Sequence, residues 1–284
     1  MEVQDRKLLE VVAFAKNQKV PILCAGDMYD TWKCGHDVVN STESILRGTA
    51  FYSCYGQHEL PNHDLSELWR SPLTTSLLTP RPNAFTSNGS KPITLTVCNW
   101  GEKPKMLGTD NSIRVLLIHK TVWLNDKPYP TAKGNVRKLL CKPEYAQFDV
   151  VISGDNHKAF TYRKGRTLWV NCGCLYRTSC AEKEYVPGFW EFSYSTKKNR
   201  VLAKHVPVTF RVKDVSTKHL ELEKKQREFV QKAEREWDSV FAQSLENNGN
   251  KERVRPCSFM ENIKKALLKE SKDVKSKTWF CLGV

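Results

Sequence analysis

Apolar positions along this chain follow two rhythms. Residues 2–17 place Leu8, Leu9, Val12, Phe14 and Ala15 on one broad stripe at helical spacing, which predicts an amphipathic helix. Residues 20–25 then form a short apolar run that stops at Gly26-Asp27, the pattern of a buried strand. A second helix is expected around residues 41–46 and a second strand over 51–55. Further strands are expected at 93–98, 113–118, 149–152, 159–163, 168–171 and 188–193. Helix, strand, helix, strand in that order implies an α/β fold, with a mostly parallel sheet between helical layers.

The segments between these elements carry their own signals. Residues 71–92 are rich in Pro, Ser, Thr and Asn and read as a long surface loop, and residues 125–134 read as a second. After about residue 213 the texture becomes helical. Leu222, Phe229, Val230, Ala233, Trp237, Val240 and Phe241 share one stripe, supported by Glu221–Lys225 and Glu228–Lys232 pairs. Asn247-Asn248-Gly249-Asn250 ends that helix, and Ser258 with Glu261 forms a capping box for another through Ile263, Leu267 and Leu268. The expected organisation is therefore an α/β domain over 1–212 and a helical C-terminal extension over 213–284. These helices either pack on the core or dock a partner. The closing Cys281-Leu282-Gly283-Val284 is discounted as a prenylation box, because Gly283 stands where an aliphatic residue is needed.

Composition narrows the class. With 284 residues, 40% of them hydrophobic, the chain is long enough to bury a sizeable core. No run approaches 18 apolar residues, and the first residues lack the basic-then-apolar order of a signal peptide. A cytoplasmic location without a membrane span is expected. The ten cysteines show no zinc-ribbon spacing and read as buried or free thiols in a reducing compartment. A net charge of +14 attracts polyanions such as nucleic acid, although a solvated basic surface explains it equally well.

Four short segments carry candidate chemistry, each at the carboxyl end of an expected strand. They are Gly26-Asp27-Met28-Tyr29-Asp30, Gly56-Gln57-His58-Glu59, Ile118-His119-Lys120 and Gly154-Asp155-Asn156-His157. Strand ends of layered α/β folds converge on a shared crevice, and a glycine before the polar residue permits close approach. Carboxylate, amide and imidazole donors together suit Mn, Fe or Zn. Each segment alone is weak, and the order of the set is what informs.

That order resembles the calcineurin-like metallophosphoesterase family, whose later motifs read GD-x-x-D, GNH[DE], a lone His and GHxH. The resemblance covers roughly residues 1–210. Asn171-Cys172-Gly173-Cys174-Leu175-Tyr176-Arg177 and Pro187-Gly188-Phe189-Trp190 further resemble the DNA-repair exonuclease branch, SbcD-like and including phage relatives. The resemblance implies a βαβ sandwich and a phosphodiesterase or nuclease acting on DNA with two divalent metal ions, Mn first, then Fe or Zn. It also implies a partner ATPase for the C-terminal helices, and a host cytoplasm if the chain is phage-encoded. Asp27 would bridge the metals; Gln57, His119 and Asp155 would complete the second site; His157 would bind the first. His58 would protonate the leaving oxygen, and Glu59 would orient His58. Phosphatases of small or protein-bound phosphates, and a non-catalytic binding module on the same fold, remain alternatives.

The chain departs from the family's pattern in three places. Gln57 replaces Asn and Asp155 replaces His, which keeps a donor at each position and favours a harder ion. No Asp-x-His precedes Asp27, so the first metal would keep only Asp27 and His157 and the sheet would lack a central strand. The expectation is an amino-terminally incomplete chain, with loss of one metal as the other reading. His36 and His63 sit in loops near two motifs and read as turn or surface residues first and as substrate contacts second, and His205 and His219 read as structural or exposed. Lys120, Lys127, Lys133, Arg137, Lys158, Arg163 and Lys164 lie near the motif loops and either track a phosphate backbone or are simply solvated.

Overall fold

The computed structural model describes residues 3–78, 91–108, 111–127, 132–175 and 185–209, together with Lys225 and Glu228. The chain divides into two units, Met1–Glu223 and Lys224–Val284. In the second unit only Lys225 and Glu228 are described, both helical and exposed. The remaining expectations for 213–284, its apolar stripes and capping box, fall outside the described residues.

The first unit is mixed α/β, with a central, mostly parallel sheet flanked by helices. Helix α1 (Val3–Gln18) leads into strand β1 (Ile22–Cys24), and α2 (His36–Leu46) into β2 (Phe51–Ser53). These two strands pair in parallel as a sheet of their own. The central sheet holds β3 (Ile93–Cys98), β4 (Ile113–His119), β5 (Val150–Gly154), β6 (Phe160–Lys164) and β7 (Thr167–Asn171). Their order is β3-β4-β5-β7-β6, parallel except for the edge strand β6. Strands β8 (Gly188–Ser195) and β9 (Arg200–Pro207) form a separate antiparallel hairpin.

The middle of the central sheet explains itself. A strand covered on both faces needs apolar residues at successive positions, and β4, β5 and β7 supply them. Because side chains alternate across the sheet, Leu116 and Ile118 join Trp169, Tyr145 and Phe148 in one core, while Val115 and Leu117 join Ile152, Val170 and Val201 in another. That second core also takes Ala25 and Cys54 from the β1–β2 pair and Trp190 and Phe192 from the hairpin, giving a sandwich. A third cluster, Val12, Tyr29, Val39, Leu46, Phe51 and Leu73, fixes α1 and α2 onto β1 and β2. Phe14 also meets Phe189 edge-on, with ring centroids 5.0 Å apart.

Several details depart from expectation. The chain reverses at Gly165 (φ 58) straight after β6, so β6 and β7 pair as a hairpin rather than in parallel. Helix α3 (Pro72–Leu78) occupies the start of the segment read as loop, and residues 79–90 lie outside the described ones. In α1 the buried positions include Lys7, so the buried face is not the purely apolar stripe of the sequence. Of the ten cysteines, seven are described and all are free thiols. Among the described residues, no helix is long and apolar enough to cross a membrane.

Candidate metal centre

Four parallel strands deliver the candidate ligands. Asp27 follows β1, Gln57 follows β2, His119 ends β4 and Asp155 follows β5. Since β1 runs parallel to β2 and β4 to β5, the residues leave their sheets at carboxyl ends, where side chains can share a crevice. Ligand atoms of Asp27, His119 and Asp155 all lie within 4.8 Å of one another.

Backbone geometry forces this convergence. Both aspartates adopt left-handed conformations, Asp27 at φ 51 and Asp155 at φ 78. Such residues cost about 1–3 kcal/mol each and persist where the surroundings hold them. The support for Asp27 is Glu59, which is fully buried. Its carboxylate accepts from the backbone N–H groups of Asp27 (3.2 Å), Tyr29 (3.2 Å) and Gly56 (3.0 Å), clamping the loops after β1 and β2 together. At Gly26 (φ 85) a side chain would collide with the His119 ring, and at Gly56 with the Asp27 carboxylate, so glycine is needed for the loops to close.

Each ligand atom is then aimed by its neighbour. Asp27 Oδ1 accepts from His58 N–H at 3.0 Å, which leaves Oδ2 facing His119 Nε2 at 3.2 Å. His119 Nδ1 lies 2.6 Å from the Ala25 carbonyl oxygen. A carbonyl can only accept, so Nδ1 carries the proton and Nε2 points its lone pair, or a second proton, at the carboxylates. This carbonyl–imidazole pairing is the arrangement that orients metal-binding histidines. Asp155 Oδ1 sits 3.7 Å from the same Nε2 and accepts from Gln57 Nε2 at 2.6 Å. Gln57 Oε1 is buried with no hydrogen-bond partner among the described residues.

The charge state reflects the crowding. Burial opposes charge on His119, but the Asp155 and Asp27 carboxylates facing its Nε2 outweigh it and raise the imidazole to about 10, although Nε2 itself makes no aligned hydrogen bond. Burial would raise Asp155, yet the nearby His119 imidazole and the Thr121 and Gln57 side chains hold it at about 2. Burial pushes Glu59 up to about 7, against the lowering effect of its backbone donors. Two carboxylates thus converge on one imidazolium. The donor set fits a divalent cation in that role: two carboxylate oxygens, an imidazole nitrogen and an orphaned amide oxygen.

A cavity of about 510 Å³ opens over the cluster, lined by Gln57, His63, Trp100, Thr121, Asp155, Asn156 and His157. Sequence reasoning missed Trp100 and Thr121, while His63 takes the place its second reading, a substrate contact, would need. Trp100 follows the carboxyl end of β3 and meets His119 edge-on at 6.0 Å, and Thr121 lies two residues past His119. The strand-end rule that found the other residues reaches both. His63 Nδ1 lies 2.9 Å from the Gln57 carbonyl oxygen, which ties it to the loop.

Three expectations need correction. Glu59 does not orient His58, because its carboxylate is occupied by three backbone donors. His58 is held by its backbone N–H and is exposed; it does not line the cavity. His157 lines the cavity but stays outside the three-residue cluster. Its neighbour Asn156 is tied down on both sides, its amide donating to Val122 O at 2.7 Å and its side-chain oxygen accepting from Lys158 N–H. Among the basic residues, Arg137 stacks on Tyr162, Arg163 donates to the Arg166 and Val201 carbonyls, and Lys164 donates to Cys141. Those three are engaged within the fold.

No protein-family model matches the sequence, and no curated protein matches it. Among solved structures, the chain is similar to the crystal structure of TT1561 of Thermus thermophilus. The two are 11% identical with a TM-score of 0.38, over 70% of this chain and 92% of that one. Similarity this low assigns neither a family nor a chemistry to the chain.

Proposed function

We propose that the chain is a metal-dependent phosphoester hydrolase acting on phosphodiester bonds, with nucleic acid as its substrate class. The observation that carries this reading is the convergence of half-buried Asp27 and Asp155 on buried His119, beside the unpartnered Gln57 Oε1, at the mouth of an open cavity. Its motif order resembles the calcineurin-like metallophosphoesterases, and the net charge of +14 suits a polyanionic substrate.

Asp27, Gln57, His119 and Asp155 would hold one divalent ion, with Mn favoured by the oxygen-rich set. Rotation of the Gln57 terminal torsion by half a turn would present Oε1 in place of Nε2. A second ion would share Asp27 and draw on His157. Bound ions supply Lewis-acid charge and a water of lowered pKa. The chain's own residues do the remainder. Ala25 O fixes the His119 tautomer, Glu59 fixes the Asp27 loop, and Trp100 shields the imidazole from water on one side. His63, which lines the cavity, would be the group that hands a proton to a leaving oxygen.

A second reading has a specific observation behind it: His157 stands apart from the cluster, as it would in a one-ion protein that binds without cleaving. The test is hydrolysis of a generic aryl phosphodiester and of DNA ends in Mn²⁺, before and after chelation, with Asp27→Ala alongside. The proposal expects chelator-sensitive turnover that Asp27→Ala lowers by about two orders of magnitude or more. Turnover unchanged by Asp27→Ala would refute it, and metal binding without turnover would favour the second reading.

A further inference from the structure

Trp69 is 73% exposed, which is unusual for the largest aromatic side chain. It is not alone. The Arg70 guanidinium lies 4.6 Å from the centroid of the Trp32 ring and 5.8 Å from that of Trp69. Lys33 Nζ also sits 5.1 Å from the Trp32 ring. Glu67 pairs with Arg70 at 3.1 Å, which holds the guanidinium between the two indoles. The result is a surface cluster of two aromatic rings around a planar cation.

Its position links it to the site above. Trp32 is five residues beyond Asp27, on the loop leaving β1, so it lies no more than about 18 Å away. Trp69 and Arg70 belong to the 3₁₀ helix Leu65–Arg70, which follows the cavity residue His63. Both arms of the cluster therefore grow from the loops that carry Asp27 and Gln57.

Local charge then decides what the cluster can hold. The same segments carry Asp30, Asp64 and Glu67 against Lys33 and Arg70, so this is no track for phosphates. What it offers is π-faces and a flat cation. Unpaired nucleobases match that surface, because each presents a free π-face whatever its sequence, while a duplex hides its faces in its own stack. Resting on the phosphodiesterase reading, we propose that Trp32, Arg70 and Trp69 form a stacking platform for the unpaired bases of single-stranded nucleic acid entering the metal centre.

The test uses the full chain with labelled oligo-dT, an abasic oligonucleotide of equal length, and duplex DNA. The expected result is tighter binding of oligo-dT than of the abasic strand or the duplex. Trp69→Ala should weaken oligo-dT about tenfold, leave the abasic strand unchanged, and be partly rescued by Trp69→Phe. Because stacking releases no counterions, that loss should be equal at low and moderate salt. Trp69 is exposed, so its replacement should not alter the melting temperature. Equal binding of oligo-dT and the abasic strand, or no effect of either Trp32→Ala or Trp69→Ala, would overturn the platform and leave a protein partner as occupant. Aryl phosphodiester hydrolysis by the unsubstituted chain reports separately on the metal centre. If hydrolysis is absent while Trp69-dependent preference for oligo-dT persists, the hydrolase reading fails and the platform stands.

Discussion

Glu59 is the side chain on which the candidate site turns. One carboxylate satisfies three buried backbone N–H groups from two loops, and in doing so fixes a left-handed aspartate. Replacing it with Gln leaves one acceptor and sets an amide N–H₂ against backbone donors. Glu59→Gln should therefore cost about 1–3 kcal/mol in denaturant unfolding and weaken metal binding, with Asp27 itself intact. Unaltered metal affinity in that variant would show that the loops hold themselves. Proton linkage gives a second prediction at this scale. Glu59 is raised from 4.5 to about 7 and His119 from 6.5 to about 10. A raised folded-state pKa contributes stability that is present below the unfolded value and lost as pH rises through the folded one. Asp155, lowered from 3.8 to about 2, contributes stability above its unfolded value and loses it only in strong acid. With chelator present, urea midpoints should fall from pH 5 to pH 7 and again to pH 9. A midpoint that climbs over that range would contradict the charge assignments.

At the level of elements, the buried strands were the legible part of the sequence. β4, β5 and β7 lie within two residues of their apolar runs, because strands covered on both faces leave no ambiguity of period, and the half-exposed edge strand β3 keeps its expected bounds. β9 was missed because its exposed and half-buried positions carry Arg200, Lys204 and His205, which break any alternation. The single turns α4 (Val136–Leu139) and α5 (Pro143–Ala146) are too short to show a helical repeat. Trp169 on β7 anchors one of the two cores of the central sheet, fully buried and 5.5 Å from the Tyr145 ring. Trp169→Ala should cost about 3–5 kcal/mol, read as a lower urea midpoint. A loss below about 1 kcal/mol would mean that the central sheet is held from elsewhere.

For the whole molecule, local sequence found residues that the fold alone brings together. Asp27, Gln57, His119 and Asp155 span four strands, and strand-end glycines marked three of those loops in advance. The sequence could not show that Asn156 is bound to Val122 or that Glu59 is consumed by backbone donors, because both depend on partners distant in the chain. The central claim is that these strand ends build a cation site out of two carboxylates now balanced by one imidazolium. It is tested most directly by calorimetric titration of the chelator-stripped full chain with Mn²⁺ near pH 7.5, in two buffers of different ionisation heat. The account predicts binding that expels the second proton from His119, about one per ion, since that imidazole is raised to about 10 without metal. Binding and proton release should vanish together in Asp27→Ala and Asp155→Ala. No Mn²⁺ uptake, or uptake that survives both substitutions, would contradict it.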